Sequence, residues 1–317
     1  MVVKYRCLWG NYNMKKMRLP LAIAWCVAVI GIILGSFLDL QISKAIAQPG
    51  NGFALTISAI GPTIGFAAVA AMGGGFIALI VKGNYHIALK ILFGVLALCC
   101  IGVAIYYPGM EYFGVNGFYK AAPEWVGYLI VLVPEGAAMF GGYVLFKNNQ
   151  NKNIWIVFCI VIVVLLIALL LVIPNIKDNM HRPRYRLLSL YESNEEIYFH
   201  NWWEPTKNHV ELISKYNVNK DDFKSFPSGH TAEASILLVG FTFLPLANKK
   251  FERYQLPLFL CGCGVVFLVA LARILAGAHF LSDVSWGAVI VLTLTSLANE
   301  IVMRIKALQL PIEEEAK

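Results

Sequence analysis

Residues 154–174 decide the fold class, and they read IWIVFCIVIVVLLIALLLVIP. This stretch contains no charged residue, and its length suits the roughly 20 apolar residues that a helix needs to cross a bilayer. We therefore predict a membrane-spanning helix here, with further spans on both sides of it.

The same criterion predicts eight spans in total. Their approximate limits are 20–39, 54–81, 87–107, 126–146, 154–174, 229–247, 255–275 and 280–303. The sequence thus predicts an all-α integral membrane protein. Gly61-Pro62 lies within the second span, where it could kink the helix.

Composition supports this class. The hydrophobic fraction is 58% and the charged fraction 14%, whereas soluble domains carry about 25% charged residues. The net charge of +7 is typical of Lys and Arg on cytoplasmic loops, and no basic stripe interleaved with aromatic residues suggests a nucleic-acid partner. Six of the seven cysteines fall in apolar stretches, so no disulfide framework is indicated.

The distribution of positive charge predicts the orientation. The N-terminal tail carries Lys4, Arg6, Lys15, Lys16 and Arg18, which favours a cytoplasmic N-terminus. An even number of spans then places the C-terminus in the cytoplasm as well. The polar stretch 176–227 and the short junction at 276–279 are both expected outside.

Three polar clusters fall on that outer side. The first is KDNMHRPR at 177–184, the second is PSGH at 227–230, and the third spans Arg273, His279 and Asp283. Their convergence on one face predicts a single site.

The residue types in these clusters suit a phosphoryl group. Ser228 is a good helix N-cap, and the amides that follow it, next to Gly229, form a natural anion site. Lys177, Arg184 and Arg273 supply three cations for the equatorial oxygens of a phosphoryl transition state. Because fixed cations would replace a metal ion, we predict no metal and no other cofactor.

His279 and Asp283 are spaced i, i+4 and therefore share a helix face. We expect the Asp283 carboxylate to accept a hydrogen bond from one imidazole nitrogen, so that the other can attack phosphorus. His230, beside the anion site, is expected to protonate the leaving alkoxide and then to activate water.

Together these residues resemble the type 2 phosphatidic acid phosphatase (PAP2) superfamily, which includes lipid phosphate phosphatases, glucose-6-phosphatase and vanadium haloperoxidases. The family pattern is Lys-x6-Arg-Pro, then Pro-Ser-Gly-His, then Ser-Arg-x5-His-x3-Asp. This chain departs from it at Tyr185, in place of proline, and at Ala272, in place of serine. Arg182 precedes a proline and is the second possibility for the phosphate role assigned to Arg184.

The resemblance implies a six-helix core with the first motif after its third helix. Since that motif follows the fifth span here, residues 1–86 are expected to hold the tail and two extra helices, and residues 87–317 the catalytic domain. It also implies hydrolysis of a lipid phosphate or pyrophosphate, of the phosphatidic acid, phosphatidylglycerol phosphate or undecaprenyl pyrophosphate type. A bacterial plasma membrane is the expected location, and the sequence does not indicate an oligomeric state.

Other interpretations stay open at this stage. The same chemistry would serve a lipid-to-acceptor phosphotransferase or a sugar-phosphate phosphatase. Glu135, an intramembrane carboxylate, is the main feature that a transporter would explain. Trp202-Trp203 suits an interfacial anchor or a lipid entry route, and His181, His200 and His209 match no metal-ligand spacing.

Overall fold

The computed structural model describes residues 14–113, 124–147, 149, 153–305 and 308. Lys4, Arg6 and most of the loop between the third and fourth spans lie outside this part of the chain. Within it, helices account for all the regular structure and no strand occurs. The all-α fold class is confirmed.

Eight helices among the described residues are long and apolar enough to cross a membrane. In chain order, the helices are α1 (Arg18–Ile46), α2 (Gly52–Lys82), α3 (Ile87–Phe113), α4 (Glu124–Phe146), α5 (Ile154–Leu165), α6 (Ile173–Met180), α7 (Tyr185–Leu190), α8 (His209–Tyr216), α9 (Gly229–Ala247), α10 (Gln255–Leu275) and α11 (Leu281–Arg304). A π-helical segment, Leu166–Val172, joins α5 to α6 and makes them one continuous span.

The outer surfaces of these helices are apolar. Phe37 is 76% exposed, Leu98 72% and Phe267 66%, which would be unfavourable in water and is suited to lipid. The chain is an integral membrane protein.

The first span is longer than its predicted limit at residue 39, because α1 continues to Ile46. The prediction stopped at Asp39, a residue that is costly in a bilayer. In the structure Asp39 is only 2% exposed and pairs with Arg182, so the helix continues past it.

Helix packing separates two groups. The helices α5, α9, α10 and α11 form a bundle; α1 packs along α11, and α2 packs against α9 and α10. In contrast, α3 and α4 pack on α2 and on each other. The division at residue 86 stays a prediction, but this packing favours α1 and α2 as core members and α3–α4 as the added pair.

Candidate active site

The three polar clusters meet at one end of the bundle. The C-terminal ends of α1, α6 and α10 and the N-terminal ends of α9 and α11 converge there. The backbone N–H of Ser228, at the start of α9, donates to the carbonyl oxygen of Asp283 in α11 (2.9 Å). The structure therefore brings together residues that lie far apart in the sequence.

The first turn of α9 forms one wall. Ser228 is the N-cap, as predicted, and its Oγ accepts from the backbone N–H of Thr231 (3.4 Å) and from the Thr231 hydroxyl (3.1 Å). His230, 8% exposed, follows Gly229 in this turn. The positive end of the helix dipole and the outward-pointing first amides make this turn suitable for an anion.

Cations surround that turn. The Lys177 Nζ lies 3.6 Å from the position that a Cβ on Gly229 would occupy. Arg184 follows α6, and its buried Nε has no hydrogen-bond partner among the described residues. Arg273, at the end of α10, is 2% exposed. Two guanidinium groups and an ammonium group thus lie near His279. These three cations, called the cradle below, form a set that can bind the oxygens of a phosphoryl group.

A tight turn presents His279. Gly277 adopts a left-handed conformation, with φ of 63°, that a side chain would strain, and its N–H donates to Ile274 O (2.9 Å). The backbone N–H of His279 then returns to Arg273 O (3.2 Å). Because of this turn, His279 and Arg273 belong to one rigid unit.

The imidazole of His279 is 1% exposed. Its Nδ1 lies 2.5 Å from the carbonyl oxygen of Ser225. A carbonyl only accepts, so Nδ1 carries the proton and Nε2 is the unprotonated, nucleophilic atom. Burial lowers the pKa of His279 well below its usual value, and the positive charges of Arg273, Arg184 and Lys177 lower it further; the ring is therefore neutral at neutral pH.

His279 and Asp283 lie beside each other as predicted, but the contact between them is longer than a normal hydrogen bond. The Asp283 Oδ2 lies 3.8 Å from Nδ1, beyond hydrogen-bond distance. That oxygen accepts instead from the Ser225 hydroxyl (2.5 Å) and the Phe280 N–H (2.8 Å). Because Asp283 is the third residue of α11, its carboxylate caps the helix and competes with the imidazole. It acts on His279 through Ser225 and through its charge.

Arg182 is fully buried and does not face the cradle. Its guanidinium donates to Asp283 Oδ1 (2.5 Å), Asp39 Oδ2 (2.9 Å) and the carbonyl oxygen of His200 (2.8 Å). It also lies over the ring of Phe280, 4.3 Å from the centroid. Because the guanidinium of Arg182 is already bound to these partners, it is not available for a phosphate group. Arg184 is therefore favoured over Arg182 for the phosphate role.

Two acidic residues near the site, Asp39 and Glu233, belong to none of the three sequence motifs. Asp39 binds Arg182, which lies 143 positions later in the sequence. The only indication of its importance in the sequence is its place within an apolar stretch. Glu233, one turn after Gly229, has its Oε1 3.8 Å from the point where a Cβ on Gly229 would lie, the same point that Lys177 approaches. The i, i+4 spacing from Gly229 was the available signal for Glu233.

Comparison with protein families agrees with this geometry. The family model described as the PAP2 superfamily matches residues 154–306. This segment belongs to the PAP2 superfamily. It contains all three motifs and the four bundle helices, α5 with α6, α9, α10 and α11. Searches of curated proteins and of solved structures found no match to the chain.

PAP2 membership indicates a phosphatase that acts on phosphate esters, in a membrane protein. The two departures from the motif leave its polar groups in place. Tyr185 begins α7 and packs its ring edge-on against Phe280 at 6.4 Å. Ala272 is fully buried and packs with Ala54 of α2.

The two tryptophans of the loop 176–227 differ in their surroundings. Trp202 donates to Ser36 Oγ (2.9 Å) and packs on Phe226 beside the second motif, whereas Trp203 is 48% exposed.

His181 and His209 stack with ring centroids 3.5 Å apart. No group of three or more potential metal ligands occurs in the described part of the chain, and the absence of a metal requirement stays a prediction.

Proposed function

We propose that the protein hydrolyses a lipid phosphate or lipid pyrophosphate at the non-cytoplasmic face of a membrane, through a phosphohistidine at His279. The observation that carries this proposal is the buried imidazole, oriented through Nδ1 by the Ser225 carbonyl oxygen at 2.5 Å and flanked by Lys177, Arg184 and Arg273.

The first half-reaction forms a P–N bond and breaks the P–O bond of the ester. The lone pair of His279 Nε2 attacks phosphorus, and the departing alkoxide takes a proton from His230. The cations stabilise the negative charge on the equatorial oxygens. The negative charges of Asp283 and Asp39 stabilise the positive charge that develops on the ring of His279 as it attacks.

The second half-reaction consumes one water molecule. His230, now neutral, removes a proton from the water as its oxygen attacks phosphorus. The P–N bond breaks, its electron pair returns to His279 Nε2, and inorganic phosphate leaves. Both histidines regain their starting states.

A lipid substrate is supported by the position of the cradle. It lies at the end of apolar helices, where a head group can reach the cations while its acyl chains remain in the bilayer. The outer face is supported by the basic residues of the opposite ends, including Lys82, Lys147 and Lys249, because such residues are enriched on the cytoplasmic side.

Release of inorganic phosphate tests the proposal. Purified protein in mixed micelles is given phosphatidic acid, phosphatidylglycerol phosphate, undecaprenyl pyrophosphate and glucose 6-phosphate, with EDTA present. Release from at least one lipid is expected, with none from His279→Ala and normal release from Glu196→Gln, which alters an exposed ion pair with Lys215. Full activity of His279→Ala contradicts the mechanism, and abolition by EDTA contradicts the metal-free cradle.

Orientation has its own test. Ser193 is exposed in the loop 176–227. In intact cells, Ser193→Cys should react with a membrane-impermeant maleimide, with the parent chain as the control for native cysteines. Labelling only after the cells are opened would place the site in the cytoplasm.

A further inference from the structure

A chain of buried hydrogen bonds links the first membrane helix to His279. It begins at Asp39 in α1, whose Oδ2 accepts from Arg182 (2.9 Å). Arg182 donates to Asp283 Oδ1 (2.5 Å), and Asp283 Oδ2 accepts from the Ser225 hydroxyl (2.5 Å). The Ser225 carbonyl oxygen completes the chain at His279 Nδ1.

A second connection runs from Asp39 to the start of α11. The backbone N–H of Ser282 donates to Asp39 Oδ1 (2.9 Å), and the Ser282 hydroxyl donates to Asp39 Oδ2. Gly35 permits this approach, since a Cβ there would lie 2.6 Å from Ser282 N. Asp39 therefore fixes both the guanidinium that holds Asp283 and the helix that carries it.

The side chains of Asp39, Arg182 and Asp283 are each at most 1% exposed. A buried charge is tolerated only with close partners, and here two carboxylates share one guanidinium. Arg182 alone would neutralise Asp283. With Asp39 present, the trio keeps a net negative charge close to the ring that must become positive when it attacks phosphorus.

We propose that Asp39 is a positioning residue for this site, acting through Arg182 and Asp283 on His279, so that α1 is part of the catalytic unit. This inference rests on the proposed hydrolysis. Asp39 touches no reacting atom; it sets the geometry and the charge of the groups that do. The family match begins at residue 154, so it does not include this residue.

The test compares Asp39→Asn with Glu196→Gln, which removes a carboxylate from an exposed ion pair. For Asp39→Asn we expect kcat to fall about 10- to 100-fold with KM changed less than about threefold, because misplacing a reacting group by an ångström costs about that much. Asp39→Glu should recover part of the loss. Glu196→Gln should match the wild type.

A pH profile separates positioning from general loss of structure. The charged groups that act on His279 are Lys177, Arg184, Arg273 and Asp283, and none of them is altered in Asp39→Asn. Loss of one negative charge beside them should shift the acidic limb of kcat/KM to lower pH. A lower folded fraction alone would reduce activity without moving that limb.

Two results would overturn the inference. One is a kcat for folded Asp39→Asn within twofold of the wild type; the other is a loss that follows the folded fraction with an unmoved acidic limb. If Asp39→Asn does not fold, Ser282→Ala decides instead: it keeps all three charges, and an unchanged kcat would contradict the proposal. If the wild-type protein releases no phosphate, the proposed function itself is contradicted. That outcome differs from failure of the Asp39 inference, in which the wild type is active and only the variants behave otherwise than expected.

Discussion

Asp39 and Glu135 are both buried in membrane-spanning helices, and their surroundings differ sharply. Asp39, in α1, has a guanidinium, a hydroxyl and a backbone N–H as partners. Glu135, in α4, is 3% exposed, and neither of its oxygens has a hydrogen-bond partner among the described residues. A charged group needs such partners in a bilayer. We infer that Asp39 is ionised and part of the site, whereas Glu135 is held in the neutral form.

The largest effect is expected from Arg182→Gln. It leaves Asp39 and Asp283 facing each other without the guanidinium, and breaking a buried ion pair in this way costs about 3–5 kcal/mol. Phosphate release should fall at least about 100-fold per folded molecule, because Asp283 loses its anchor. Thermal unfolding in detergent and a phosphate assay measure the two effects. A stable, active variant would show that the trio is dispensable.

A smaller effect should follow from separating α1 from α11. In Gly35→Ala the new Cβ would lie 2.6 Å from Ser282 N and 2.7 Å from Asp39 Oδ1, and overpacking of this kind costs about 1–3 kcal/mol. We expect reduced activity and a lower melting temperature. The matched control is Gly94→Ala in α3, where, apart from the adjacent residues and the backbone of the same helix, no described atom lies within 4 Å of the position that the added Cβ would take. Equal behaviour of the two variants would argue against a close contact at Gly35.

The acidic limb of the pH profile tests whether the ring of His279 is neutral at neutral pH. Burial, together with Arg273, Arg184 and Lys177, lowers the pKa of His279, so the ring stays neutral until the pH falls below the usual histidine range near 6.5. Below its own pKa the ring is protonated and cannot attack. The limb of kcat/KM assigned to His279 should therefore have its midpoint below about 6.5. A midpoint above that value would indicate an imidazolium stabilised by Asp283.

The smallest effect is expected from Glu135→Gln. A neutral carboxyl group and an amide are similar in size and polarity, so the change should alter stability by less than about 1 kcal/mol and leave phosphate release unchanged. Thermal unfolding and the phosphate assay apply again. A loss of activity comparable with that of Asp39→Asn would show that the two carboxylates are both functional and that the comparison is wrong.

The sequence predicted the spans and the motif residues because both are local signals. A run of apolar residues identifies a span, and Arg273 and Asp283 lie on either side of one short turn, at the end of α10 and the start of α11. The partners of Asp39 could not be predicted, since 143 positions separate it from Arg182 and pairing across that distance depends on helix packing. The division at residue 86 stays a prediction for the same reason: which helices join the core depends on helix contacts, not on their order along the chain.

The contact between His279 and Asp283 is longer than predicted for a different reason. The i, i+4 spacing brought the two side chains near each other, as expected, but the N-terminus of α11 and the Ser225 hydroxyl offer Asp283 closer donors. Spacing alone does not rank competing partners.

Detection of the covalent intermediate tests the role of His279 most directly. Protein mixed with a ³²P-labelled lipid phosphate is quenched in alkali, where phosphohistidine survives, and the labelled peptide is sequenced. We predict label at His279 that is absent in His279→Ala and retained, or increased, in His230→Ala, which would slow hydrolysis more than formation. Phosphate release without label at His279, or label on another residue, would contradict His279 as the nucleophile.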